Sequence, residues 1–307
     1  MKIIKHLLTI ITIALFIGSI SLIFDYTRIL SHKKINDVNT LKEQKIPKTS
    51  SKKEISKPEK SKEVVENDSS NVKNKIDESS SAFHLKNTKI PILMYHSISY
   101  EKGNTVRVPK ENFRKQMKYL KENNYTTITV DELYIYMKTG KIIPNNPVVI
   151  TFDDGYKDNY TNAYPILKEL ELKATVFIIT NTIDTVKNYL TSNEIKTMDS
   201  NNIRIESHTA AHEHLDKISY SDNLKTMITS KSKLEKILGR KINYLAYPYG
   251  EYNEATIKAA KNSGYKLAFS TEYGWIDRKN NIYSLGRIFV NSDYNLEQFK
   301  AKLIYKN

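Results

Sequence analysis

Three apolar runs constrain this chain more than any other feature: Ile90-Pro91-Ile92-Leu93-Met94-Tyr95, Pro147-Val148-Val149-Ile150-Thr151-Phe152 and Ala174-Thr175-Val176-Phe177-Ile178-Ile179. Each is too continuous to lie half exposed, so each predicts a strand buried on both faces. Apolar residues recur at helical spacing around them: Phe113, Met117 and Leu120; Leu133 and Met137; Tyr164, Ile166, Leu167 and Leu170; Leu224, Met227, Leu234, Ile237 and Leu238. Strands alternating with helices predict an α/β fold with a largely parallel sheet, and a (β/α) barrel is one natural closure at this size. Gly239 and Gly264 read as helix stops. The sequence holds no internal repeat.

That pattern starts only at Lys89. Leu7 to Phe24 carries no charge and is Ile/Leu-rich, long enough to cross a hydrocarbon core of roughly 30 Å. No Ala-x-Ala-like cleavage site follows it, so residues 1–30 are expected to form an uncleaved transmembrane signal-anchor. Arg28, Lys33 and Lys34 put as much positive charge after the span as before it, so charge alone does not set its orientation. Residues 31–88 are rich in Lys, Glu, Ser, Asn and Asp, and bury too little to offset the entropy of ordering, which predicts a disordered linker. Residues 89–307 are the expected folded domain. The net charge of +14 suits nucleic acid, a membrane surface or an anionic cell wall. Part of that excess lies in the linker and no recognition motif accompanies it, so nucleic acid is not expected as a partner. The chain has no cysteine, which excludes disulfides, thiolate metal sites and a cysteine nucleophile. Any metal must therefore sit on His, Asp or Glu.

Two adjacent carboxylates, Asp153-Asp154, end the second apolar run ahead of Gly155. Strand ends in parallel α/β folds open toward active sites, and neighbouring carboxylates want a cation or a proton between them. The same residues also suit an ordinary turn and a helix cap. Three of the seven histidines fall in Glu206-Ser207-His208-Thr209-Ala210-Ala211-His212-Glu213-His214. A helical turn there would put His208 and His212 on one face for a shared cation, whereas a polar loop with incidental histidines fits the pattern too. With Asp154 they form a set of two imidazoles and one carboxylate that leaves coordination positions open. His214 is expected to be a bystander. Leu245-Ala246-Tyr247-Pro248-Tyr249-Gly250 reads as a strand end turned by Pro and Gly, either an ordinary aromatic turn or one that aims the Tyr249 amide at an oxyanion.

Taken in order, Thr151-Phe152-Asp153-Asp154-Gly155-Tyr156, His208-Thr209-Ala210-Ala211-His212 and Tyr247-Pro248-Tyr249-Gly250 resemble the first three motifs of the polysaccharide deacetylase family, the NodB-homology carbohydrate esterases. The resemblance runs from about Lys89 to the C-terminus. It implies a distorted (β/α) barrel and a divalent metal, usually Zn2+, with Co2+, Ni2+ or Mn2+ as alternatives. Asp153 is then the general base, while Asp154, His208 and His212 are the metal ligands. The sequence departs from the common pattern in two places: Ala246 stands where an arginine is usual, and no histidine follows His214. A branch resembling the poly-β-1,6-N-acetylglucosamine deacetylases has the same Tyr-Pro-Tyr-Gly form and an early histidine, which makes His96 the candidate acid. Arg287 is the candidate to replace the missing arginine beside Asp153, although a surface arginine explains it as well. Tyr247 and Trp275 are assigned to the substrate pocket, with core packing an equal alternative for Trp275.

The function so implied is N-deacetylation of an N-acetylglucosamine polymer, either exopolysaccharide or peptidoglycan. The domain is expected outside a membrane that the N-terminal helix crosses once, or secreted if that segment is cut. No obligate protein partner is expected. A catalytically inactive carbohydrate-binding module is the competing reading.

Overall fold

The computed structural model describes residues 88–305 and the two-residue strand β1, Phe83–His84. The expected anchor and nearly all of the expected linker lie outside the described residues, among which no helix is long and apolar enough to cross a membrane.

The three apolar runs form β2 (Ile90–Tyr95), β5 (Pro147–Phe152) and β6 (Ala174–Ile178), and every residue in them is buried. Between β2 and β5 lie helix α1 (Lys110–Glu122), β3 (Thr126–Thr127), helix α2 (Val130–Thr139) and β4 (Ile143–Pro144). Helix α3 (Tyr164–Glu169), entered through a wide turn at Asn159–Ala163, leads from β5 to β6. Then come α4 (Ser192–Asp199), β7 (Ile203–Ser207), α5 (Tyr220–Leu238), β8 (Tyr244–Ala246), α6 (Glu254–Asn262) and β9 (Leu267–Phe269). Two short strands, β10 (Trp275–Ile276) and β11 (Ile288–Phe289), and helix α7 (Leu296–Lys302) complete the chain. Helix α5 stops where the sequence predicts, at Gly239 with φ 68°.

The sheet runs β2, β5, β6, β7, β8, β9, all parallel, as βαβ crossovers require. It curls back on itself: Phe269 of β9 bridges Leu285, and three residues later β11 pairs in parallel with β2, Ile288 opposite Leu93. The result is the expected distorted barrel.

Strand periodicity divides each run between two apolar layers. Ile90, Ile92, Val149, Phe177, Tyr244, Ala246, Leu267 and Phe269 pack with one another inside the barrel, together with Val130, Leu133 and Tyr136 of α2. Leu93, Tyr95, Val148, Ile150, Phe152, Val176, Ile203, Ile205, Leu245 and Tyr247 pack outward against the helices. Each such buried aliphatic or Phe side chain contributes roughly 1.5–3 kcal/mol relative to exposure. Helix α2 covers the end at which the strands begin, with the Tyr136 hydroxyl donating to Thr88 O at 3.2 Å. The other end, where the strands finish, stays available for chemistry.

Candidate metal centre and active site

Along β5 the inward positions are Val149 and Thr151, and the next one is Asp153. Its amide donates to Tyr95 O at 3.0 Å, which continues the β2–β5 ladder and fixes the backbone. Its carboxylate is only 1% exposed. The structure brings Arg287 onto it from the segment that returns to β2: Nη1 donates to Oδ1 at 2.7 Å and Nη2 to Oδ2 at 2.6 Å. The fully buried guanidinium also donates to Thr151 Oγ1 at 3.2 Å and from Nε to Ser270 O at 2.9 Å. Burial works to raise the Asp153 carboxyl, but Arg287 and His208 outweigh it and hold the group below the usual carboxylate range. Asp153 is thus an ionised acceptor in a fixed orientation.

Asp154 turns away from the strand in the left-handed region, φ 72°. Its Oδ1 lies 3.4 Å from Nε2 of His208 and 3.4 Å from Nε2 of His212. His208 immediately follows β7, and its amide donates to Ile178 O at 2.9 Å. Its Nδ1 lies 2.8 Å from Ala246 O. A carbonyl only accepts, so Nδ1 carries a proton, and Nε2, the nitrogen facing Asp154, is the one available to a metal when the ring is neutral. Burial pushes the Asp154 carboxyl up, yet the two imidazoles prevail and hold it well below the usual range.

Of the two local structures open to this segment, the helical turn is absent. Residues 208–214 form a loop in which Thr209 (φ 65°) and His212 (φ 60°) are left-handed. The two rings, with centroids 4.9 Å apart, meet because the loop reverses direction, not because of i, i+4 spacing. His214 points elsewhere, stacked on Tyr249 at 4.0 Å and bonded through Nδ1 to Glu251 at 2.6 Å.

These three side chains fit a divalent cation. Their ligand atoms lie within 4.8 Å of one another, the one such cluster among the described residues. The buried Asp154 Oδ1 has no hydrogen-bond partner, and a buried carboxylate oxygen without a donor calls for a positive charge. Two nitrogens and one oxygen are a suitable donor set for zinc and for neighbouring first-row metals.

His96 follows β2 and reaches the same mouth, its ring edge-on to Phe289 at 6.1 Å. Part of the residue is exposed, yet its Nδ1 is buried without a partner. Burial pulls the imidazole below its ordinary value, against the attraction of Asp153 and Asp154. Tyr249 sits in the turn after β8 with φ 58°, its ring packed against His212 at 4.4 Å. The next residue has to be glycine: a Cβ on Gly250 would lie 2.1 Å from Thr271 Oγ1 and 2.5 Å from Thr271 N.

The polysaccharide deacetylase family model matches residues 141–268, which hold both carboxylates and both ligand imidazoles. YxkH of Bacillus subtilis, provisionally named a polysaccharide deacetylase, is 40% identical over 216 residues, 70% of this chain and 76% of YxkH. The chain belongs to the polysaccharide deacetylase family. A poly-β-1,6-N-acetyl-D-glucosamine N-deacetylase of Staphylococcus aureus is 33% identical to this deacetylase over 199 residues, 61% of this chain and 68% of that protein. Among solved structures, the Streptococcus pyogenes deacetylase PplD in complex with acetate is similar with a TM-score of 0.69 and 30% identity, covering 72% of this chain and all of PplD (100%). A polysaccharide deacetylase of Bacillus cereus follows with a TM-score of 0.64 and 32% identity, over 71% of this chain and 70% of that one. The chain is therefore a hydrolase of the carbohydrate esterase type.

Two residues expected in the deacetylase's substrate pocket lie elsewhere. Tyr247 is fully buried in the outer layer, and its hydroxyl donates to Tyr283 O at 2.9 Å. It directly follows inward-facing Ala246, so strand alternation turns it away from the mouth. Trp275 pairs with Pro91, at the opposite end of β2 from His96, and packs edge-on against Tyr305 at 5.6 Å. The sequence reading also missed two backbone carbonyls, Ala246 O and Ser270 O, which orient His208 and Arg287. Backbone acceptors leave no trace in residue identity.

Proposed function

We propose that this deacetylase removes N-acetyl groups from an N-acetylglucosamine polymer and requires a divalent cation held by Asp154, His208 and His212, with Zn2+ as the first choice. The observation that carries the reading is the unpartnered Asp154 Oδ1 facing two Nε2 atoms, next to a separate carboxylate already committed to Arg287. The two aspartates thus divide the work. Such an ion supplies Lewis-acid chemistry that polarises an acetyl carbonyl and makes water more acidic.

The chain's own residues do the rest. Asp153, ionised and clamped by two charge-assisted bonds, accepts the proton of the attacking water as general base. The Tyr249 amide donates to the oxyanion as the carbonyl carbon becomes tetrahedral. His96, whose imidazole burial pulls below its ordinary value, relays the proton that Asp153 has taken from the water to the departing amine nitrogen. Arg287 stands where the missing motif arginine would act, reaching Asp153 from a different segment of chain. An inactive binding module would have no use for this divided arrangement.

The Tyr247-Pro248-Tyr249-Gly250 form and the S. aureus relative favour a β-1,6-linked polymer over peptidoglycan. The Leu7–Phe24 run supports a chain held in the cell membrane by residues 1–30, with residues 31–88 as tether and residues 89–307 as catalytic domain outside. The test is acetate release by the purified protein from β-1,6-linked N-acetylglucosamine oligomers and from peptidoglycan, each with and without chelator. Chelator-sensitive release from the oligomers is expected. Release from peptidoglycan alone would move the substrate assignment, and chelator-resistant release would remove the metal requirement.

A further inference from the structure

The loop that joins the two ligand imidazoles is strained, and one side chain outside the ligand set holds it. Thr209 is β-branched yet sits at φ 65°, and His212 at φ 60°. A β-branched residue in the left-handed region is strained and persists only where its surroundings over-determine it. Here the surroundings are Glu213. Its Oε2 accepts from the Thr209 hydroxyl at 2.8 Å and from the Ala211 amide at 3.3 Å. Its Oε1 accepts from the Thr226 hydroxyl of α5 at 2.7 Å. Each threonine oxygen then takes a backbone amide of the loop: Thr209 Oγ1 accepts from His212 N at 3.1 Å and Thr226 Oγ1 from Ala210 N at 3.0 Å. One carboxylate therefore ties residues 209–212 to a long helix through threonines that are themselves buried, 0% and 6% exposed.

We propose that Glu213 is a positioning residue for the metal centre, holding His212 in its ligating place before any ion arrives. The inference rests on the reading of Asp154, His208 and His212 as metal ligands. His208 does not depend on the clamp, because the β6–β7 ladder and Ala246 O fix it. Without Glu213, residues 209 and 212 relax toward ordinary φ, and the His212 imidazole leaves a site that His208 and Asp154 still form. The loss then falls on metal affinity rather than on the fold.

The test is the Zn2+ affinity of the full-length protein, by competition with a chromogenic chelator, beside the melting temperature of each metal-free variant. Glu213→Ala is expected to weaken Zn2+ binding about 10–100-fold, the usual effect of removing a partner that orients a ligand. Glu213→Gln keeps an oxygen for the Thr209 hydroxyl and the Ala211 amide, and its NH2 group can donate to Thr226 Oγ1. It is expected to restore most of the affinity. Thr226→Val cuts the tie to α5 and is expected to weaken binding with little change in metal-free melting, so it carries the test should Glu213→Ala fail to fold. Wild-type affinity in both Glu213→Ala and Thr226→Val would overturn the proposal, as would an affinity loss in Thr226→Val matched by an equivalent loss of metal-free stability. A wild-type protein that binds no Zn2+ would instead overturn the metal reading beneath it.

Discussion

The barrel interior contains two layers of buried charge, and they differ in what they leave undone. At the strand-finishing end lie Asp153, Asp154, His208, His96 and Arg287. Deeper along β7, Glu206 is fully buried among Arg204, Arg240 and Asp199. Glu206 is saturated: Oε1 accepts from Arg204 Nε at 3.0 Å and Arg240 Nη1 at 3.1 Å, while Oε2 accepts from the amides of Asn243 at 2.8 Å and Tyr244 at 2.9 Å. The upper layer keeps two buried atoms without partners, Asp154 Oδ1 and His96 Nδ1. A fully satisfied polar network specifies structure, whereas an incomplete one needs a ligand or a reaction to complete it. Burial and charge alone would not separate the two layers.

The comparison is sharpest for Asp153. Asp153→Asn is expected to lower turnover on an acetylated oligomer by about 10²–10⁴-fold while the protein retains its metal. Undiminished turnover would break the assignment of Asp153 as base. His96→Gln is expected to cost about 10²-fold or more in turnover, again with metal retained, and a plot of rate against pH should change shape because a proton carrier is gone. Arg287→Met leaves Asp153 as a buried unpaired charge and is expected to cost about 3–5 kcal/mol in denaturant unfolding. A loss below about 1 kcal/mol would mean that the pair is not buried as described.

The smallest effect is the most discriminating between layers, because their carboxylates answer pH with opposite sign. Burial pushes Glu206 up to about 7, against the pull of Arg240 and Arg204. Its folded value is above the unfolded one, so its contribution to stability is present in acid and is lost as pH rises through about 7. Asp153 is lowered by Arg287 and His208 against burial, so its contribution is present above the unfolded value and is lost as pH falls through the folded one. The melting temperature of wild type minus that of Glu206→Gln is therefore expected to fall as pH rises from about 4.5 to about 7. A rising difference would contradict the assignment.

Much of the upper layer was legible in the sequence because its residues sit where chain direction changes. A continuous apolar run followed by Asp153-Asp154-Gly155 states both the strand and its end, and the resemblance supplied the ligand imidazoles, whereas Arg287, 134 positions from Asp153, entered only as a candidate replacement for the arginine the motif lacks. Conformation was less legible than identity. The spacing of His208 and His212 suggested a helix, but a left-handed Thr209 locked by Glu213 achieves the same meeting, and nothing in the composition marks that lock. Tyr247 was misplaced because aromatic character does not report which way a strand residue points, whereas for Trp275 the core-packing alternative holds. Counting alternation from inward-facing Tyr244 and Ala246 would have turned Tyr247 outward. The Glu206 layer gave no signal at all, since four of its donors come from β7, from the start of β8 or from the loop between α5 and β8.

The account stands or falls on one ion shared by Asp154, His208 and His212. Metal content and acetate release, measured on the same preparations of wild type, His208→Ala and Asp153→Asn, test it directly. The account predicts about one divalent ion per chain in wild type and Asp153→Asn, none in His208→Ala, and acetate release from wild type alone. Metal retained at wild-type level in His208→Ala, or full acetate release from it, would contradict the account.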